Sequence, residues 1–545
     1  MTELALSQVF DAVVAEVPRR ECIVQGTRRL DYATVAARTR ALAQQLVATG
    51  LGSVRARAEL QAWESGQSHV AIYMHNRPEY LETMMACFAG RAVPCNVNYR
   101  YAEAELVSLL RGMRARALVF EGCFAHQAAR LRAQLPELQL LIQVESTAGE
   151  ALAPGALAYE HVVSQPSAAE LAAPSPDDLY ILFTGGTTGA PKGVLWRQAD
   201  IFMAALGGRD PRRGDLHSLY EARQRAADGG ERVLPLPPMM HGAAHWMALR
   251  ALLSGGTVVM QERVQHFDAH EALATAEREQ VRALLVVGDA FGRPLLDALQ
   301  ERPYELKQLF AIINGGAPLQ ADVKRALLAR LPGRLIIDAI GSSESGQQGM
   351  HISAGNQVQT GRFAPGSNAC VLSEARDRVL ASGSAELGWL AQSGRVPLGY
   401  LDDAARTHAT FPTLGGVRYA VPGDRAYCSA DGQFEVLGRD STTINSGGEK
   451  IFVEEVEAVL KQHPAVYDAL VCGRPSPRWG QEVCAVLQLR PSETATEAEL
   501  LAHAAQQLAR FKLPRVIVFR ERIERSPSGK PDYAWARRQC GLEHT

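Results

Sequence analysis

Apolar residues recur at two spacings along this chain, and the alternation between them predicts its architecture. Residues 30–50, LDYATVAARTRALAQQLVATG, place apolar positions at helical spacing and close on Gly50, a residue suited to the turn just beyond a helix. His69–Met74 is an apolar run of strand length; Asn76-Arg77-Pro78-Glu79 opens a helix running through Met84 to Ala89, and Ala92–Asn98 is the next strand. Strand, helix and strand at this spacing predict parallel βαβ units. Further strands are expected at Leu179–Phe183, Val281–Gly288, Leu309–Gly316 and Leu335–Glu344. Between residues 365 and 400 the pattern changes: Gly366, Gly383, Gly388, Gly394 and Gly399 punctuate short β-like runs, which predict a small antiparallel sheet or barrel. Residues 465–489 read as strand, turn and strand. Polar stretches at 54–67 and 145–178 read as surface connections, and the charged stretch 200–232 as a solvated helix with lids.

Composition narrows the class. At 545 residues the chain exceeds one compact core and predicts two or three domains. An apolar content of 47 % with 21 % charged residues is that of a soluble enzyme, and a net charge of −2 gives no footprint for nucleic acid. The nine cysteines form no CxxC pair, so neither a zinc site nor a disulfide framework is expected, which suits a reducing cytoplasm. The start, MTELALSQVFDAV, carries early acids and no long apolar core, unlike a signal peptide, and no apolar run is long enough to predict a membrane span.

The most chemically loaded stretch is LYILFTGGTTGAPKGV, residues 179–194. A buried strand delivers Thr184, Gly185, Gly186, Thr187, Thr188 and Gly189, and then Lys192. Glycines free the backbone to turn and present N–H groups to phosphate, threonine hydroxyls add donors, and the lysine adds charge. Lys192 is followed by Gly193 rather than Ser or Thr, so this is not a P-loop of the Walker type. The stretch resembles the phosphate loop of the adenylate-forming superfamily, which includes acyl-CoA synthetases, luciferases and the adenylation domains of peptide synthetases.

The resemblance extends from about residue 28 to 535, and what it implies is specific. The fold would be α/β, with a large N-terminal domain (1–438) of two βαβ-type sheets plus a small β-barrel, then a small mobile α+β domain (439–545) carrying a catalytic lysine. Gly315, Gly316 and Ala317 would line the adenine and acyl sites. In LIIDAIGSSE, Asp338, Ile340, Gly341, Ser342 and Ser343 would contact the nucleotide, and Glu344 would hold magnesium. Ile340 stands where relatives carry an aromatic residue, and Ser343 where they carry Thr. Asp424 would accept the ribose hydroxyls, and Arg439 would reach ribose or phosphate. Asp440 and Ser441 would form the hinge; Ser446, Gly447, Gly448 and Glu449 would line the coenzyme A tunnel; and Lys530, in Pro-Ser-Gly-Lys, would be the catalytic lysine. His241 would sit with Gly315 and Gly341 at the acyl pocket. Trp246 is open between pocket wall and core packing.

These parts imply an acid–thiol ligase. ATP would convert a carboxylic acid to an acyl adenylate and pyrophosphate, and the acyl group would pass to coenzyme A with release of AMP. Thr184, Lys192, Glu344 and Lys530 would carry the first step. PPMMHGAAHW and INSGGEKIFVEEVE resemble bacterial enzymes for medium- or long-chain fatty acids or steroid side-chain acids. The partners implied are a small carboxylic acid, ATP, Mg2+ and coenzyme A, with room for a homodimer. Loading of a carrier protein, or a luciferase-like oxygenation, would use the same motifs.

Overall fold

The computed structural model describes residues 3–146, 149–186, 189–210, 213–526 and 528–541. Two large sheets organise the chain up to Arg439. In the first, parallel strands Glu21–Gln25, Thr257–Met260, Arg232–Pro235, Ala283–Val286, Ala311–Gly315 and Leu335–Ser342 lie side by side. Thr257–Met260 and Ala283–Val286 are buried along their whole length, as continuous apolar runs between two helical layers should be. In this sheet the expected strands are present but shorter than the apolar runs, because pairing stops where the chain turns away from the sheet.

Among the described residues the second sheet has eight strands, with the parallel pair His69–Tyr73 and Val93–Asn96 near its middle. Between these two strands lies the helix Pro78–Ala89, which starts on proline, where a missing N–H costs nothing. Leu179–Gly186 joins this sheet and folds back as an antiparallel hairpin with Gly189–Arg197, a partner strand that the apolar pattern did not predict. Gly399–Tyr400 pairs with the outer side of that hairpin.

The expected separate barrel is corrected. Among the described residues the glycine-punctuated segment continues the first sheet, which reaches fifteen strands. Leu335–Ser342 pairs antiparallel with Gly346–Ala354, and the ladder runs on through Arg362–Pro365, Phe434–Arg439, Asp424–Cys428, Gly388–Ser393 and Val417–Ala420. A bulge between Ile340 and Gly341 turns the ladder at its bend.

Among the described residues the C-terminal unit is a five-stranded sheet built on Val466–Ser476 and Gly480–Leu489, covered by helices Val453–Leu460, Glu497–Ala504 and Tyr533–Gln539. It has its own apolar core around Val456, Ala469, Val471 and Ala485. Two other expectations change. Within 200–232 the solvated helix is Leu219–Ala227, but Asp200 is buried and paired with Arg395 at 2.7 Å. Cys484 and Cys540, 56 residues apart, form a disulfide that their spacing did not announce. Among the described residues no helix is long and apolar enough to cross a membrane.

Candidate active site

The hairpin of Leu179–Gly186 and Gly189–Arg197 is anchored through its first strand. Asn96 bonds the backbone of Phe183 twice, at 2.8 and 2.7 Å, and also reaches the Met240 carbonyl at 2.7 Å. One side chain thus ties the loop's strand to the residue before His241. Thr184 lies opposite Lys192 in the ladder, and Gly186 opposite Gly189. Thr187 and Thr188 lie outside the described residues.

Lys192 carries its ammonium 5.3 Å from the centre of the Tyr400 ring. The Tyr400 hydroxyl donates to Glu344 Oε1 at 2.9 Å. Partial burial and then Arg406 lower the Lys192 pKa, while Glu344 opposes them. One buried tyrosine therefore sits between the lysine and the glutamate that the sequence singled out, and sequence reasoning missed it. Its only local signal was a Gly-Tyr pair inside the glycine-punctuated run.

Glu344 itself is presented by a stiff turn. The Ser342 N–H donates to Ser345 Oγ at 3.1 Å, the Glu344 N–H to Ser342 Oγ at 3.2 Å, and the Trp196 indole N–H to the Ser343 carbonyl at 2.8 Å. A Cβ on Gly341 would lie 2.1 Å from the Gly346 carbonyl oxygen, so this bend admits only glycine. Ile340 is half-buried against the small cluster of Val371, Leu390 and Phe434. Asp338, expected at the nucleotide, is buried instead. Its oxygens accept from Asn314 at 2.8 Å and Lys324 at 2.5 Å, while Asn314 accepts from the Gly288 N–H at 2.8 Å. It holds neighbouring strand ends together.

The lysine loop closes the cleft from the other domain. Arg525 and Pro531 bridge antiparallel, and the Ser526 N–H donates to the Lys530 carbonyl at 2.9 Å. Gly529, at φ +79, brings this loop against Phe291 and the Val287 carbonyl, where a Cβ would come within 2.9 and 3.1 Å of them. Lys530 then passes over Gly316, whose own Cβ would lie 3.1 Å from Lys530 Cε. Gly316 has φ +88, so the absence of a side chain serves both the turn and the lysine. The Lys530 side chain is open to water, yet protein surrounds it. Crowding and Arg439 lower its pKa, and Glu344 and Asp424 raise it. Arg439 Nε meets Asp424 Oδ1 at 3.3 Å across an antiparallel pair. Lys192, Glu344, Asp424, Arg439 and Lys530 thus share one cleft.

The apolar side of the cleft begins at His241, which precedes the helix Gly242–Leu252. His241 Nε2 is buried without a hydrogen-bond partner. Burial, then Lys530, pushes its pKa down to about 3, so the imidazole is neutral at physiological pH. Trp246 is half-buried and donates its indole N–H to the Tyr180 hydroxyl at 2.7 Å; that hydroxyl also meets His245 Nε2, and His245 Nδ1 meets the Met239 carbonyl at 2.6 Å. Ala243, Met247 and Ile313 are half-buried on the same core. Trp246 is therefore fixed at its polar end and packed on this core.

Residues 10–400 match the family model for AMP-binding enzymes, and residues 455–530 match the model for the C-terminal domain of the same enzymes. The chain belongs to the AMP-binding enzymes. It is 48% identical over 542 residues to the medium-chain acyl-CoA ligase Mig of Mycobacterium avium, covering 99% of this chain and 98% of that one. It is 38% identical over 552 residues to the 3-oxocholest-4-en-26-oate–CoA ligase of Rhodococcus rhodochrous, covering 99% and 96%. The fold is similar to that of the anthranilate CoA ligase AuaEII bound to anthranoyl-AMP, with TM-score 0.80, 20% identity and 99% and 98% of the two chains covered.

In this AMP-binding enzyme the two domains meet on the helix Asp289–Glu301, which sequence reasoning left out. Asp468 bonds Arg525 at 2.7 and 2.8 Å and Lys461 at 3.3 Å, and Lys461 reaches Asp289 at 4.0 Å. The Tyr467 hydroxyl meets Asp297 at 3.4 Å. The expected hinge, Asp440 and Ser441, is part of one short 3₁₀ turn, with the Asp440 N–H donating to the Gly423 carbonyl at 3.0 Å. Ser446–Glu449 forms a tight hairpin with Gly447 and Gly448 at φ +60 and +91. Gly447 packs on Trp479, and the neighbouring Lys450 lies 3.8 Å from Glu374; this loop is turned toward those residues and not toward Lys530.

Proposed function

We propose that the chain is an AMP-forming acyl-CoA ligase, caught in the orientation that makes the acyl adenylate. The observation that carries this is the convergence of Lys530 from the small domain with Lys192, Glu344, Asp424 and Arg439 from the large one. A carboxylic acid is ionised at pH 7 and needs no base to attack phosphorus. What it needs is neutralisation of its own charge and of the departing pyrophosphate, in fixed geometry. Lys530 would bridge the substrate carboxylate and the nucleotide. Lys192 and the hairpin N–H groups would take the β- and γ-phosphates, and Asp424 with Arg439 the ribose.

Magnesium fits Glu344. Oε1 accepts from Tyr400, while Oε2 has no hydrogen bond or ion pair among the described residues, leaving a hard oxygen donor facing two lysines. Bound there, the ion would neutralise phosphate charge. The second half-reaction needs a thiol where Lys530 now stands. The small domain would rotate about Asp440–Ser441 and bring Ser446–Glu449 to the cleft as the coenzyme A tunnel.

The acid is proposed to be apolar: a medium- or long-chain fatty acid or a steroid side-chain acid. The names of the similar ligases and the apolar, partly buried Ala243, Trp246, Met247 and Ile313 support this. Its co-substrates, ATP and coenzyme A, support a cytoplasmic location. The test is pyrophosphate release by purified protein with ATP and magnesium, across acids from acetate to palmitate and cholanoate, with and without coenzyme A. Release accelerated by coenzyme A, with AMP and a thioester as products, is expected. Release without thioester would move the assignment to a carrier-protein or oxygenase relative.

A further inference from the structure

The junction between the domains holds a carboxyl group that the adenylation chemistry does not use. Gly438, in the strand Phe434–Arg439, has φ +149, and a Cβ there would lie 2.2 Å from Glu454 Oε2. Glu454 stands in the first turn of Val453–Leu460, the first helix of the small domain. Its Oε2 is buried without a partner. Asp440 and Ser441, the hinge, lie between these two residues in the chain.

We propose that Glu454 is the positioning residue that latches the two domains in the adenylate-forming orientation. Its uncharged carboxyl fills the space beside Gly438, and rotation about the hinge withdraws it into water. The proposal rests on the hinge reading given under Proposed function.

The charges facing the carboxyl make the uncharged form the one that fits. The backbone N–H groups of Glu454 and Arg439 favour the anion. Loss of water, Glu457 from the next turn of the same helix, and Asp424 from the adjoining strand oppose it more strongly. Tyr533, on the last helix, faces Glu454 and Glu457 from the other side and offers no positive charge. The Arg439 guanidinium is turned to Asp424. The balance pushes Glu454 from an ordinary 4.5 up to about 8. The latched state therefore holds a proton that the released state gives to water between these two values. Raising the pH across that window favours release by up to about tenfold per unit, and above about 8 the effect levels off. The latch would thus set how the enzyme divides its time between the two half-reactions, with adenylation favoured on the acid side.

The test uses full-length protein and Glu454→Gln, which keeps the shape without the charge. Amide hydrogen exchange of the segment 434–445 is followed at pH 6.5 and 8.5, comparing the two proteins at each pH so that intrinsic exchange cancels. The ratio of exchange in the natural protein to that in the variant should rise at least about threefold between pH 6.5 and 8.5. The ratio of adenylation rate to thioester formation from supplied acyl adenylate should fall over the same range in the natural protein and stay flatter in the variant. The same pH dependence in both proteins would overturn the latch. Adding a non-hydrolysable acyl-adenylate analogue with coenzyme A separates the two readings. Altered exchange at 438–442 with no effect of Glu454→Gln sinks the latch alone, whereas an unresponsive segment in both proteins sinks hinge and latch together. Should Glu454→Gln fail to fold, Glu454→Met is expected to show the same flat profile.

Discussion

Replacing Tyr400 by Phe would remove one oxygen atom and little else. The ring stays beneath the Lys192 ammonium, and the backbone pairing of Gly399–Tyr400 is untouched. What is lost is the 2.9 Å bond to Glu344 Oε1. A hydrogen bond to a charged group contributes about 1.5–3 kcal/mol, equivalent to a factor of about 10–150 in rate if all of it is felt in the transition state. Glu344 is only half-buried, so water recovers part of that, and the expected loss lies near the lower end, about tenfold. Pyrophosphate release would be measured against magnesium concentration, and thioester formation from supplied acyl adenylate and coenzyme A measured separately. Adenylation should fall about tenfold with a raised half-saturating magnesium concentration, while thioester formation stays within about twofold. An unchanged magnesium curve, or equal losses in the two half-reactions, would refute the view that Tyr400 orients Glu344 for phosphate chemistry.

Lys530→Ala should lower adenylate formation by about 100-fold or more and spare thioester formation from supplied acyl adenylate; equal loss in both assays would contradict the assignment. Gly316→Ala puts a methyl 3.1 Å from Lys530 Cε at φ +88, so about 1–2 kcal/mol of strain should appear as a lowered Tm, with adenylation slowed about tenfold and thioester formation unaffected. His69, His241 and His245 are held by burial at about 4, 3 and 4, below their ordinary 6.5. Below pH 6.5 the unfolded chain binds protons that the folded one refuses, so stability should fall from pH 6.5 toward 4 and be indifferent to these groups above 6.5. Urea unfolding at pH 7 and 5 should show that fall, and His241→Asn should flatten it by up to about 1.4 kcal/mol per pH unit; a slope unchanged by the variant would remove His241 from the account.

The parallel strands were legible because burial on both faces leaves an unbroken apolar run, as at Val281–Gly288 and Leu335–Glu344. Lys192, Glu344, Asp424, Arg439 and Lys530 each stand in a short local motif, which is why they could be singled out before the structure brought them into one cleft. Three things were hidden for a common reason: they depend on pairing that the local pattern of residues does not show. Tyr400 lies 56 residues from the glutamate that it touches and 208 from the lysine above its ring. The hairpin partner Gly189–Arg197 reads as loop because its opening residues, Gly189 to Gly193, are glycine, alanine, proline and lysine. Asp338 carries a ligand-type side chain inside a ligand-type motif, yet Lys324 and Asn314, invisible as neighbours in sequence, claim both its oxygens. The missing barrel has the same origin: short glycine-punctuated strands announce antiparallel pairing but not which sheet they will extend.

The charged seam on the helix Asp289–Glu301 bears on how such enzymes can be recombined. Lys461, Asp468 and Tyr467 belong to the small domain, and Asp289 and Asp297 to the large one. A small domain transplanted from another ligase would bring its lysine loop intact but meet a docking surface written for different charges. It would still close its own fold and still carry its own lysine loop, and yet rest at the wrong angle over Gly316. Exchange of modules at residue 438 should therefore succeed only when the helix Asp289–Glu301 travels with the domain that it receives.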